Sequence, residues 1–157
     1  MPSKAGPPLA TVQAALKAMG DEGLIILDRS RWYESEPVPA SSQPWFINGV
    51  VAISTLEEPY KLLKILNKIE STFGRSRTVA NAPRPLDLDL LAYGDVLLND
   101  SGAGGLILPH PRLAERRFVL MPWSDIAPDW RHPLTGKTVS EMAAALPAKP
   151  IVRLLKH

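Results

Sequence analysis

Arg84-Pro85-Leu86-Asp87-Leu88-Asp89-Leu90-Leu91 is the stretch on which the reading of this chain turns. From Leu86 to Ala92 leucine and aspartate alternate, a period of two, so a strand is expected there with Asp87 and Asp89 on one face and Leu86, Leu88 and Leu90 on the other. Two carboxylates on one face, roughly 6–7 Å apart at their Cα atoms, repel unless a positive group lies between them. Magnesium suits that place, because it prefers oxygen ligands and completes its shell with water and substrate phosphates. The alternative is the solvated face of an edge strand. The neighbourhood favours phosphate: Ser71 to Leu86 contains no acid but holds Arg75, Arg77 and Arg84, and Arg112, Arg116 and Arg117 follow His110. A guanidinium fork matches phosphate oxygens and offsets the charge of a phosphoryl transfer.

Outward from this centre the sequence predicts an α+β domain. Leu9, Val12, Leu16 and Met19 mark a helix opened by Pro7-Pro8 and closed near Gly20. A strand is expected over Leu24–Tyr33, a loop over Glu34–Pro44 and a second strand over Trp45–Ser54. Thr55 with Glu58 reads as a capping box, and Pro59 as the first turn of a helix to Phe73 with Gly74 as its stop. Leu62, Leu66, Ile69 and Phe73 form that helix's apolar stripe. Tyr93-Gly94-Asp95 turns the chain into Val96-Leu97-Leu98, and Asn99–Gly105 is a glycine-rich loop. A helix is expected over Arg112–Leu120, and a capping box at Thr138 and Glu141 opens a short one ending near Leu146. Thr135-Gly136-Lys137-Thr138 lacks the upstream glycine of a P-loop and reads as a turn. The basic tail Lys149–His157 is expected to be solvated.

The chain's 157 residues suit one domain, 1–157. With no cysteine, disulfides, thiolate metal sites and cysteine nucleophiles are excluded. A net charge of +2 argues against a general nucleic-acid binder, and no apolar run approaches the ~20 residues of a membrane span. The expectation is a cytoplasmic monomer without membrane or nucleic-acid partners. An RNA-binding module built on the arginine clusters is a further alternative, weakened by the carboxylates between them.

Asn81 to Leu91 resembles the signature of the 6-hydroxymethyl-7,8-dihydropterin pyrophosphokinase family of the folate pathway. Leu108-Pro109-His110-Pro111-Arg112 with Arg116, Arg117 and Phe118 resembles its second motif. Tyr33–Val38 with Trp45-Phe46-Ile47-Asn48 resembles its pterin loop and following strand, and Ile126-Ala127-Pro128-Asp129 a further segment. The resemblance implies a ferredoxin-like βαββαβ core and transfer of pyrophosphate from ATP to the pterin hydroxymethyl group, releasing AMP. It implies two magnesium ions on Asp87 and Asp89, with Arg75 and Arg84 beside them as catalytic groups. ATP contacts would come from Glu70, Arg75, Arg77, Arg84, His110 and Arg116. The pterin would lie among Ser35, Glu36, Pro37, Val38, Phe46, Asn48 and Phe118. Three details depart from the family pattern: Ala80-Asn81 replaces an arginine-aromatic pair, Glu36 a common proline, and Pro111 a frequent aromatic. The family also opens on a strand and a Gly-Ser-Asn loop, whereas this sequence starts at Met1-Pro2-Ser3. A start assigned too far downstream is the expected cause. The alternative is a truncated, non-catalytic remnant that binds nucleotide or pterin.

Overall fold

The structure, a computed structural model, describes residues 9–37, 45–73, 86–100, 105–148 and 150–155. Helix α1 (Leu9–Asp21) buries Val12, Ala15 and Met19 at helical spacing. It runs past Gly20 and stops at Gly23, whose φ of 90° only glycine adopts cheaply. There Gly23 N–H donates to Gly20 O and Leu24 N–H to Met19 O, the paired bonds of a Schellman ending.

Each of the two long strands expected next is broken in the middle. Strands β1 (Ile25–Arg29) and β4 (Val51–Ser54) form one antiparallel pair. Strands β2 (Tyr33–Ser35) and β3 (Phe46–Asn48) form another, so Glu34 and Ser35 are sheet residues and not the start of a loop. The break lies at Ser30 and Gly49-Val50. The buried Ser30 hydroxyl accepts from Val50 N–H at 2.9 Å while Ser30 N–H donates to Val50 O, a side chain taking one rung of the ladder. At the same point Trp32 lies over Gly49 so closely that a Cβ there would stand 2.5 Å from the indole. β1 is bulged between Ile26 and Asp28 and leaves Ile25 and Leu27 exposed, against the expected alternation.

Helix α2 (Pro59–Thr72) is capped by Glu58 and not by Thr55 as the sequence suggests. Glu58 is the N-cap, accepting from Tyr60 and Lys61 N–H, while Thr55 Oγ1 caps Glu57 N–H. Leu62, Leu66 and Ile69 are buried as expected, and so is Glu70.

Residues 86–92 form no strand. The burial alternates as expected, with Leu86 inside and Asp87 and Asp89 outside, but no ladder runs along this backbone among the described residues. Period-two patterning places side chains; it does not supply a partner strand. A cavity of about 560 Å³ is lined by β4 on one side and residues 87–94 on the other. After the Gly94 turn, β5 (Leu98–Asn99) pairs with β6 (Ile107–Leu108).

The helix expected over Arg112–Leu120 is two elements. A 3₁₀ turn, Leu113–Glu115, ends at Arg116, whose backbone is extended, and α3 (Arg117–Ile126) then continues through Pro122. Helix α4 (Val139–Ala144) carries the expected capping box, with Thr138 and Glu141 bonded reciprocally. The tail is not wholly solvated: β7 (Val152–Leu154) pairs antiparallel with β2. The strands thus fall into three small antiparallel sheets, β1-β4, β3-β2-β7 and β5-β6, in a mixed α+β architecture. One apolar cluster joins α1, α2, Trp32 and Leu86; a second joins Val50, Leu113, α3 and α4. No helix among the described residues is long and apolar enough to cross a membrane.

Candidate active site

A cavity of about 850 Å³ opens between the two clusters. On one wall stand Asp87 and Asp89. On another are His110, Arg112, Arg116, Arg117 and Phe118, and on a third Ser35, Glu36, Phe46 and Asn48. Three segments far apart in sequence therefore meet there, each carrying residues the sequence reading had singled out.

The acidic wall is held from behind. Leu88 N–H donates to Glu70 Oε2 at 2.6 Å, and His110 N–H donates to Leu91 O at 2.7 Å. Glu70, expected among the ATP contacts, is 6% exposed and is not among the residues lining the cavity; its carboxyl lies beneath Leu88 within the fold. The chain could have signalled this burial: Leu62, Leu66 and Glu70 are spaced by four and share one helical face.

The basic wall comes from the turn at Arg116. Its Nη1 lies 3.6 Å from Asp89 Oδ2, and its guanidinium sits over the Phe118 ring at 5.6 Å. Arg116 is also the N-cap of α3 and gives it no side-chain cap. Beside it, Arg117 Nε is buried without a hydrogen-bond partner among the described residues. His110 Nδ1 accepts from Arg112 N–H at 3.1 Å, leaving Nε2 to carry the imidazole proton. Burial lowers the His110 pKa; Asp89 opposes this, while Arg116 and Arg112 reinforce it, so the ring is neutral at pH 7.

On the third wall, Asn48 Nδ2 donates to Ser35 Oγ at 2.8 Å, fixing the amide against the sheet. Ser35 is buried in the central strand β2 between Phe46 and Val152. Glu36 is anchored at both ends: its N–H donates to Ile151 O, and its Oε1 accepts from Ile151 N–H at 2.7 Å. Phe46 and Phe118 both line the cavity, half-buried. Pro37 is buried nearby and does not line it. Arg75, Arg77, Arg84 and Val38 lie outside the described residues.

The donor set bears on which metal fits. Among the described residues no three His, Cys, Asp or Glu side chains cluster as a metal cage. Two exposed carboxylates on one wall, opposite guanidinium groups, instead match an ion that takes few protein ligands and completes its shell with water and phosphate oxygens, as magnesium does. Zinc or copper would call for imidazole or thiolate donors that this wall lacks.

Residues 1–128 match the family described as 7,8-dihydro-6-hydroxymethylpterin-pyrophosphokinase. A Pseudomonas aeruginosa protein named 2-amino-4-hydroxy-6-hydroxymethyldihydropteridine pyrophosphokinase is 40% identical over 150 residues, covering 94% of this chain and 89% of that one. A Synechocystis protein of the same name is 41% identical over 138 residues, covering 87% and 69%. The "Folic acid synthesis protein fol1" of Pneumocystis carinii is 40% identical over 126 residues, 80% of this chain. The chain spans only 17% of that protein, and 20% of the protein of the same name in Schizosaccharomyces pombe.

Proposed function

The chain belongs to the 7,8-dihydro-6-hydroxymethylpterin-pyrophosphokinase family, and from that premise we propose that it transfers the pyrophosphoryl group of ATP to 6-hydroxymethyl-7,8-dihydropterin in folate synthesis. The hydroxymethyl oxygen attacks the β-phosphorus of ATP. A new O–P bond forms, the bond between the β-phosphorus and the bridging oxygen to the α-phosphate breaks, AMP leaves, and the hydroxyl proton is lost. The observation that carries this reading is the single cavity walled by Asp87 and Asp89, by His110 and Arg116, and by Phe46, Asn48 and Phe118.

Such a transfer needs alignment and charge neutralisation more than a protein nucleophile. Asp87 and Asp89 would hold two magnesium ions, which when bound neutralise the triphosphate oxygens. Arg116 would contact the same phosphates with its guanidinium, and neutral His110 would donate through Nε2. Arg75, Arg77 and Arg84 would add positive charge, with Arg75 and Arg84 as the catalytic arginines that the family resemblance implies. The flat pterin would lie between Phe46 and Phe118, its edge read by the Asn48 amide, which Ser35 holds in place. Glu36 would close that side, with Pro37 behind it and Val38 continuing the pterin loop that the family resemblance implies.

The same reading carries a single domain over residues 1–157, acting as a cytoplasmic monomer without nucleic-acid or membrane partners. It also carries a ferredoxin-like arrangement of the core.

An assay of AMP release with ATP and the pterin tests the proposal. Magnesium-dependent turnover is expected, and Asp87→Ala and Asp89→Ala should each abolish most of it. No AMP from the wild-type chain would overturn the activity; full turnover by both variants would overturn the metal assignment.

A further inference from the structure

Glu70 is the one acidic side chain buried in the described fold, and it points at the backbone between the two aspartates. We infer that Glu70 is a positioning residue: its carboxyl, bonded to Leu88 N–H, sets the direction in which Asp87 and Asp89 present their carboxylates to a divalent cation. The inference deepens the pyrophosphokinase reading and rests on it for the identity of the cation's partner, ATP.

In an extended backbone the N–H and C=O of a residue lie across the strand, at right angles to the side chains. Fixing one N–H therefore fixes the rotation of the local chain about its own axis. Leu88 is flanked directly by Asp87 and Asp89, so its N–H governs both. A sheet strand would normally take this orientation from a ladder, but none runs along residues 86–92 among the described residues. The 2.6 Å bond to Glu70 Oε2 stands in the place of a rung. The burial of Glu70 strengthens it, because a low local dielectric favours the bond. The anchor is itself rigid: Glu70 follows Leu62 and Leu66 on the packed face of α2, both nearly inaccessible. Orientation of this kind is what groups behind metal ligands provide, and their loss costs roughly 10–100-fold in metal affinity.

Position and charge can be separated by substitution. Glu70→Gln keeps an oxygen at the same reach without the acid. Glu70→Asp keeps the acid but is one methylene too short for the bond. Glu70→Ala removes both. Each full-length variant would be compared with wild type for Leu88 amide exchange in the metal-free protein and for Mn²⁺ binding by electron paramagnetic resonance with a non-hydrolysable ATP analogue. Circular dichroism would check folding.

Leu88 exchange should accelerate in Glu70→Ala and Glu70→Asp, with Mn²⁺ affinity about tenfold lower or more. Glu70→Gln should stay within about threefold of wild type in affinity, retaining most of the amide protection. Under turnover, the Mg²⁺ concentration for half-maximal rate should rise in Glu70→Ala while KM for the pterin holds. If Glu70→Ala does not fold, the contrast between Glu70→Asp and Glu70→Gln decides the matter. Wild-type Mn²⁺ affinity in Glu70→Asp, or an equal loss in Glu70→Gln, would overturn the positioning role. A chain that makes no AMP would defeat the pyrophosphokinase reading, while the exchange and Mn²⁺ measurements would still judge Glu70.

Discussion

The acidic and basic walls of the cavity are built in opposite ways. Residues 106–126 are held mainly by regular structure and packing: the 3₁₀ turn and α3 make local backbone bonds, β6 pairs with β5, and Leu108, Leu113 and Leu120 beneath them are at most 2% exposed. Residues 86–92 hold themselves hardly at all. Their geometry is set from outside, by Glu70 on one neighbour and His110 N–H on another. The basic wall should thus fail only when the fold fails, whereas the acidic wall can lose its geometry while the fold survives.

The largest effect expected is at the acidic wall. Asp89→Ala should lower kcat by about 10³-fold, equivalent to about 4 kcal/mol of transition-state stabilisation. Its melting temperature should hold, because Asp89 is exposed and its partner Arg116 is also placed by α3. Stopped assays of AMP release beside thermal melts would check both halves of that claim. A variant that melts early would break the comparison, since it would make Asp89 a support and not only a ligand.

Leu120 is the counterpart at the basic wall. It is fully buried among Leu113, Trp123, Val139 and Met142, so Leu120→Ala should cost about 2–5 kcal/mol of stability through lost burial and the cavity left behind. Chemical denaturation would read the loss. At temperatures where the variant is still folded, Mg²⁺ half-saturation should be unchanged, because the orientation of Asp87 and Asp89 does not pass through Leu120.

This difference also explains what was legible in the sequence. The Thr138–Glu141 cap and the Leu62-Leu66-Ile69 stripe were readable because a few adjacent residues determine them. Asp87 and Asp89 are legible as chemistry from their alternation and their arginine neighbours, whereas His110, Arg116, Phe46, Asn48 and Phe118 enter only through the family resemblance; all seven line one cavity. The strand over Leu86–Ala92 was misread because alternation reports which faces are wet, not whether a neighbouring backbone supplies the ladder. The unbroken strands over 24–33 and 45–54 failed for a related reason: the Ser30 hydroxyl and the Trp32 ring over Gly49 kink them through contacts about twenty residues apart. The start of α2 at Glu58 turned on which of two capping side chains reached the helix, a choice local sequence leaves open. β7 was missed because three residues of a basic tail carry no pattern until β2 offers an edge.

A smaller effect is expected where α3 is tied to the β2 sheet. Asp125 accepts from Arg31 through Nε and Nη2, from Arg31 N–H, and from the Tyr33 hydroxyl at 2.9 Å. Desolvation pushes the Asp125 carboxyl up, but the hydrogen bonds from Arg31 and Tyr33 outweigh it and hold its pKa below the usual carboxylate range. A depressed folded-state pKa adds stability that is present above the unfolded value and is lost as pH falls through the folded one. Wild type should therefore melt higher than Asp125→Asn at pH 7, and the gap should close as the pH drops below the ordinary carboxylate value. Melting curves of both proteins from pH 7 to pH 3 would show it. A gap constant across that range would mean that Asp125 acts by packing and not by charge.

The smallest effect, at the cap of α4, sharpens the comparison most cleanly. Thr138 Oγ1 accepts from Glu141 N–H while Glu141 Oε1 accepts from Thr138 N–H, and Val139 and Met142 of this helix pack beside α3 in the second apolar cluster. Thr138→Ala removes one half of the reciprocal pair and should cost about 1 kcal/mol, or about 2–4 °C in melting temperature for a chain of this size. Thr138→Ser, which keeps the hydroxyl, should recover most of that. Because α4 supports the wall that sets its own geometry, neither variant should move Mn²⁺ affinity or Leu88 amide exchange. A shift in either would show strain passing from α4 through α3 to the aspartates, and the two walls would then be one mechanical unit.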